Sequence, residues 1–139
     1  MSSCVCLHVR RAARVLTRIY DDALAPCGLT SMQLGTLDTL ADFGPQTLAQ
    51  LADANGHERS AAWRGLQPLI RKALVRRAEP AGRAARYEIT ETGEALLGLA
   101  MERWRVAQNQ VLAKLGDDVE HLNAIVEKLD QLDRSGPAA

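Results

Sequence analysis

The sequence has no apolar run approaching the roughly 20 residues that a bilayer-spanning helix needs, so no membrane partner is expected. Low-complexity stretches are missing too, and an apolar fraction of 47% is that of an ordinary folded protein. The first residues carry Arg10 and Arg11 where a signal peptide would need an uninterrupted apolar stretch, which points to a cytoplasmic protein. Cysteine is scarce. Cys4, Cys6 and Cys27 form no repeated C-x-x-C pattern, so no metal site is expected, and in a reducing compartment the three are thiols. Nothing in the chain calls for a cofactor.

Net charge is also absent, with 17 basic and 17 acidic side chains, but the sum hides an uneven distribution. Residues 46–93 hold eight Lys/Arg against five Asp/Glu, an excess of +3, whereas 94–139 hold five against eight, or −3. The positive excess is central.

What the chain does have is helical periodicity. Val5, Val9, Ala12, Leu16, Ile19 and Ala23 recur at spacings of four and three, which sets them on one stripe of a first helix. Arg10, Arg14 and Arg18 line another face. Pro26 and Gly28 end that helix, and Thr30 is placed to cap a second over about 31–42. Gly44-Pro45 breaks the chain, Thr47 caps a short helix from Leu48 to Ala54, and Asn55-Gly56 turns. A further helix is expected from about Ser60 to Ala73, with Ala62, Leu66, Leu69, Ile70 and Ala73 inward. Pro68 removes one of its hydrogen bonds and is expected to bend it. Two helices joined by a short glycine turn make a helix-turn-helix.

Residues 74–78 and 86–90 then read as strands flanking a Gly-containing tip, a hairpin placed as a wing. A long helix follows from Thr90 or Thr92 to about Leu115, and a last one aligns Val119, Leu122, Ile125, Val126, Leu129 and Leu132. The expected fold is mainly α with a small β-wing, a winged helix-turn-helix over 31–93 within a single domain of 1–139. Residues 1–30 and 94–139 supply dimerisation helices, because they carry more apolar stripe than one small domain could cover.

The run from Thr47-Leu-Ala-Gln-Leu-Ala through Arg59-Ser-Ala-Ala-Trp-Arg to Lys72-Ala-Leu-Val-Arg-Arg77 resembles the DNA-binding core of the MarR family. It meets the family pattern LA-x-x-L … R-[ST] … L-x-x-L-x-x-x-G-LV-x-R almost throughout. The resemblance continues through Ile89-Thr-Glu-Thr-Gly-Glu94, the first helix and Gly28-Leu29-Thr30, and so covers essentially the whole chain. Ala73 stands where the family usually has glycine, and Ala81 where the wing usually has an aspartate that orients its arginine. The resemblance implies a transcriptional regulator that binds a pseudo-palindromic operator in double-stranded DNA as a homodimer. Steric repression, relieved by a small molecule or an oxidant, is the family default.

A recognition helix reaches base edges with its N-terminal side chains. Arg59, Ser60, Trp63, Arg64 and Gln67 point away from the Ala62/Leu66/Leu69 stripe. Arginine can donate two hydrogen bonds to a guanine edge and glutamine suits adenine, while serine suits a base or a phosphate. Trp63 either contacts sugar or a thymine methyl group, or closes the gap between helix and wing. Arg83 aligns with the wing arginine that family members insert into the minor groove. Arg86 and Arg76 read as phosphate contacts or as solvated strand residues.

Two switches compete. Cys6 falls where the OhrR-type peroxide-sensing branch carries its reactive cysteine, and Tyr20 matches one of the tyrosines that engage it across the dimer. Arg10 occupies the place of the second tyrosine. A helix N-terminus and an arginine one turn on both favour thiolate, the form that reacts with an organic hydroperoxide. The alternative for Cys6 is a small apolar residue. The second switch is a small aromatic or phenolic ligand in the crevice between the dimer helices and the DNA-binding lobe, lined by His8, Arg11 and Trp104, each of which has a plainer reading as surface or packing. A protein–protein adaptor with a degenerate wing is the alternative to DNA binding. An enzyme with Cys6 as nucleophile and His8 as base is disfavoured, since residues two apart on a helix face different ways.

Overall fold

The computed structural model describes residues 3–78 and 84–136, so the wing tip, with Ala81 and Arg83, lies outside the described residues. Helix α1 spans Val5–Leu24 and ends in a single 3-10 turn, Ala25–Cys27, closed by Gly28 at φ +70. Helix α2 spans Ser31–Phe43 and starts on a capping box. Thr30 Oγ1 accepts from the Gln33 amide at 3.2 Å, while Gln33 Oε1 accepts from the Thr30 amide at 3.0 Å. The same reciprocal device, Thr47 with Gln50, opens helix α3, Leu48–Asn55. Helix α4 follows at Arg59–Arg71 and runs through Pro68.

Helix α4 ends two residues before the apolar periodicity does. Ala73, expected inward, is exposed and left-handed at φ +59. Its amide donates to Ile70 O and that of Leu74 to Leu69 O, the two bonds that close a helix ahead of a left-handed residue. The chain can then leave the helix and enter the sheet, so the stop signal is geometric although no glycine supplies it.

The sheet has three antiparallel strands in the order β1-β3-β2: β1 at Gln46–Thr47, β2 at Val75–Arg77 and β3 at Arg86–Ile89. Strands β2 and β3 are the expected wing, in register Arg76 with Glu88. Strand β1 is a finding, since two residues carry no periodicity to read. Helix α5, Glu91–Leu115, is capped by Thr90, and helix α6, Asp118–Arg134, follows the turn at Gly116.

The core gathers leucines from each of the helices α1 to α4. Leu24, Leu37, Leu40, Leu51, Leu66 and Leu69 are fully buried, and Val75, Leu97 and Ala100 join them from the sheet and α5. At about 1.5–3 kcal/mol for each large side chain, this cluster holds the reading head together. The close approach of α5 to the α4–β2 junction depends on Gly93, where a Cβ would lie 2.2 Å from Leu74 O. The ends of the chain differ. No residue of α6 is buried, and the stripe read on α1 is uncovered at its start, with Val5 67% exposed.

Candidate nucleic-acid interface

Helix α4 sits on the core through Gly65, Leu66 and Leu69 and turns the other side outward. Arg59, Ser60 and Arg64 are exposed on that side, and Gln67 is half-buried at its edge. The helix is set in place from behind by Gln33, a buried polar residue of α2. Its Nε2 donates to Gly65 O at 3.2 Å while its Oε1 serves the α2 cap. Sequence reasoning missed this link, because a glutamine three residues after a threonine signals the capping box and nothing more.

Trp63 is 38% exposed, and its ring lies 6.4 Å from that of Tyr87 on β3, tilted by 52°. Of its two readings the structure supports closure of the gap between recognition helix and wing, while leaving part of the indole open. On the sheet, Arg86 is exposed and donates to Pro45 O at 2.9 Å, so it fastens the loop before β1 to β3. Arg76 pairs with Glu88 at 3.1 Å, an exposed pair worth well under about 1 kcal/mol. The side chains of α4 and the sheet arginines therefore belong to one assembly, held by Gln33 on one side and by Trp63 with Tyr87 on the other.

The residues read as switches are dispersed. Cys6 is exposed in the first turn of α1, after Cys4 at the N-cap, with Arg10 exposed one turn further on. Tyr20 lies fourteen residues along the same helix, roughly 21 Å away at 1.5 Å per residue. Its hydroxyl donates to Gln108 Oε1 and its ring stacks on Trp104 at 6.3 Å, so within one chain it packs on α5. Burial raises the pKa of its phenol. His8 and Arg11 do come together, lining a cleft of about 910 Å³ between α1 and α6 whose walls include Val15, Leu122 and Ile125. Asp118 and His121, 3.6 Å apart, lie at its edge. Trp104 does not line that cleft, and neither does any residue of the DNA-binding lobe, so the crevice expected between lobe and terminal helices is not the one His8 and Arg11 share. Among the described residues no group of His, Cys, Asp or Glu is placed to hold a metal ion, and no helix is long and apolar enough to cross a membrane.

Comparison with known proteins gives the same answer as the geometry. The sequence profile of the MarR family matches residues 28–86. No curated protein matches the chain in sequence. The transcriptional regulator MosR of Mycobacterium tuberculosis is 36% identical and superposes with a TM-score of 0.85, over 96% of this chain and 98% of that one. The structure of MosR in complex with DNA matches at 36% identity and a TM-score of 0.84, covering 98% and 100% of the two chains. A MarR family protein of M. tuberculosis in complex with p-aminosalicylic acid is 26% identical, with a TM-score of 0.68 over 92% and 99%. The winged reading head, the long helices around it and these likenesses together show that the chain belongs to the MarR family of DNA-binding transcriptional regulators.

Proposed function

We propose that the protein is a homodimeric, cytoplasmic repressor that reads a pseudo-palindromic operator with α4 in the major groove. The observation that carries this is the outward face of α4, where Arg59, Ser60, Arg64 and the edge of Gln67 stand beside an arginine-bearing wing. Arg59 and Arg64 read guanine edges, Gln67 an adenine, and Ser60 a phosphate or a base. Trp63 braces the helix against the wing and offers its open edge to sugar or a thymine methyl group. Arg86 and, from the tip, Arg83 hold phosphates and the minor groove. The DNA complex of the 36%-identical MosR supports the reading. Replacing Arg59 and Arg64 together by alanine should abolish a salt-dependent gel shift, with each base contact worth about 1–3 kcal/mol of discrimination. A shift that survives unchanged refutes the assignment.

Release from DNA has two supported routes. Cys6 is exposed in the first turn of α1, where an organic hydroperoxide can reach it. The second route is a small aromatic ligand at the cleft lined by His8 and Arg11, and the p-aminosalicylic acid complex of a relative favours that ligand class. Cys6→Ser separates the two: cumene hydroperoxide must release wild type but not this variant if Cys6 is the sensor. Release that persists in the serine variant rules the thiol out.

A further inference from the structure

Helix α4 has a missing rung. Pro68 has no amide hydrogen to give to Arg64 O, four residues back, so the hydrogen-bond ladder is interrupted midway along the stripe of Ser60, Arg64 and Gln67. A helix bends most readily at such a gap. One residue from it, a side chain of another helix reaches in. Gln33 of α2 donates from Nε2 to Gly65 O at 3.2 Å, and among the described residues this is the one side-chain hydrogen bond that joins α2 to α4. The two helices meet closely at that turn, since a Cβ on Gly65 would lie 2.8 Å from Met32 Cε.

Both ends of the Gln33 amide are committed. Oε1 accepts from the Thr30 amide at 3.0 Å within the α2 cap, and Nε2 serves Gly65 O. Turning the amide over would set donor against donor and acceptor against acceptor. At 9% exposure, water offers little compensation. The cap that carries Gln33 is itself fixed, because the Ser31 amide donates to Asp21 Oδ1 of α1 at 2.6 Å. Further along, Lys72 Nζ donates to Gly28 O at 3.3 Å and ties the end of α4 to the same α1–α2 junction. The gap at Pro68 thus lies between two ties to one anchor.

We infer that Gln33 is a positioning residue for DNA reading, its bond to Gly65 O fixing the turn of α4 that aims Arg64 and Gln67 into the groove. This rests on the proposal that α4 reads base edges. Base contacts need side chains held to about 0.5 Å, whereas attraction to phosphates tolerates a shifted helix. Loss of the bond therefore falls on discrimination between duplexes more than on folding or non-specific affinity.

Two substitutions isolate the donated hydrogen. Gln33→Glu keeps the acceptor for the Thr30 amide, as glutamate does in a capping box, but its carboxylate cannot donate to Gly65 O. Gln33→Met has similar size and neither polar end, and it carries the comparison alone if the buried carboxylate prevents folding. The probes are the duplex that wild type enriches from a random pool and a scrambled duplex of the same length and composition. Binding is read by fluorescence anisotropy at one salt concentration, with urea unfolding at each pH. At pH ~7.5 each variant should bind the enriched duplex at least about tenfold more weakly than wild type, and the scrambled duplex within about threefold of it. As pH falls to about 5, burial and the facing carbonyl favour protonation of the introduced carboxyl, which then donates again. The Gln33→Glu deficit should narrow while that of Gln33→Met persists. Dividing by wild type at each pH cancels the titration of His57 and of every other group the three proteins share. Wild-type affinity of either variant for the enriched duplex overturns the assignment. So does equal loss on both duplexes in step with a lower urea midpoint, which makes Gln33 a residue of the fold alone. A Gln33→Glu deficit that pH leaves unchanged overturns it as well, since the donated hydrogen is then not what is missing. A wild type that enriches no duplex removes the base reading itself.

Discussion

Substituting Gly93 by alanine probes the joint between the reading head and the long helix α5. The added Cβ would lie 2.2 Å from Leu74 O, 2.8 Å from Ile89 Cγ1 and 3.1 Å from the Leu74 carbonyl carbon. Two of these atoms are backbone, and the backbone is held: Leu74 O accepts from the Thr90 amide at 3.0 Å, and Thr90 Oγ1 donates to Ala73 O at 2.7 Å. Relief requires the start of α5 to move by about an ångström. Overpacking of this kind costs about 1–3 kcal/mol, and loosening the Thr90 bonds adds about 0.5–1.5 kcal/mol each. A loss of about 2–6 kcal/mol is therefore expected, of which the better helix propensity of alanine returns up to about 1 kcal/mol. Gly65→Ala is the control. There the near atom is Met32 Cε at 2.8 Å, the end of a flexible side chain that can rotate away. That variant should lie within about 1 kcal/mol of wild type. Urea unfolding followed by circular dichroism, at one fixed protein concentration, measures both. If Gly93→Ala unfolds at the wild-type midpoint, the junction yields and the reasoning about a rigid joint is wrong.

Three further outcomes follow from single residues. Ala73→Gly should stabilise by up to about 1 kcal/mol, because a left-handed alanine costs about 1–2 kcal/mol and glycine gives part of that back as chain entropy; an unchanged urea midpoint counts against strain at φ +59. Asp38 has its pKa raised from the usual 3.8, first by burial and then by Asp42. Its charged form therefore weakens the fold at neutral pH, and the weakening fades as pH falls through the raised folded value toward the unfolded one. Asp38→Asn should raise stability at pH ~7 and lose that advantage below pH ~4, which urea titrations at the two pH values will show. Trp63→Ala removes the contact with Tyr87 and should weaken operator binding more than it weakens folding; equal losses in both would make Trp63 a packing residue only.

Much of this fold was legible because its signals are local. Thr30 and Thr47 announce their helices through side chains that reach only three residues ahead, and both capping boxes form. Signals that depend on distant partners were less legible. Strand β1 exists because β3 lies beside it, and no two-residue stretch can advertise that. Trp104 has a spacing that fits either a crevice or a core, and only the placement of α1 on α5 decides that it stacks on Tyr20. In the candidate site the arginines of α4 were readable from their offset to Leu66 and Leu69, whereas Gln33 was not, since its second bond spans 32 residues of sequence. The end of α4 was misplaced for a chemical reason: Ala73 takes a conformation that glycine usually marks.

The central claim is that two copies of α4 read two halves of one DNA site. Selection of binding sites from a random duplex pool, followed by footprinting of the enriched sequence, tests it most directly. The account predicts an inverted repeat whose half-sites are centred about one helical turn apart, roughly 10 base pairs, with enrichment lost for the Arg59→Ala/Arg64→Ala protein. Enrichment of no sequence, or of a single half-site that the double variant selects equally well, would contradict it.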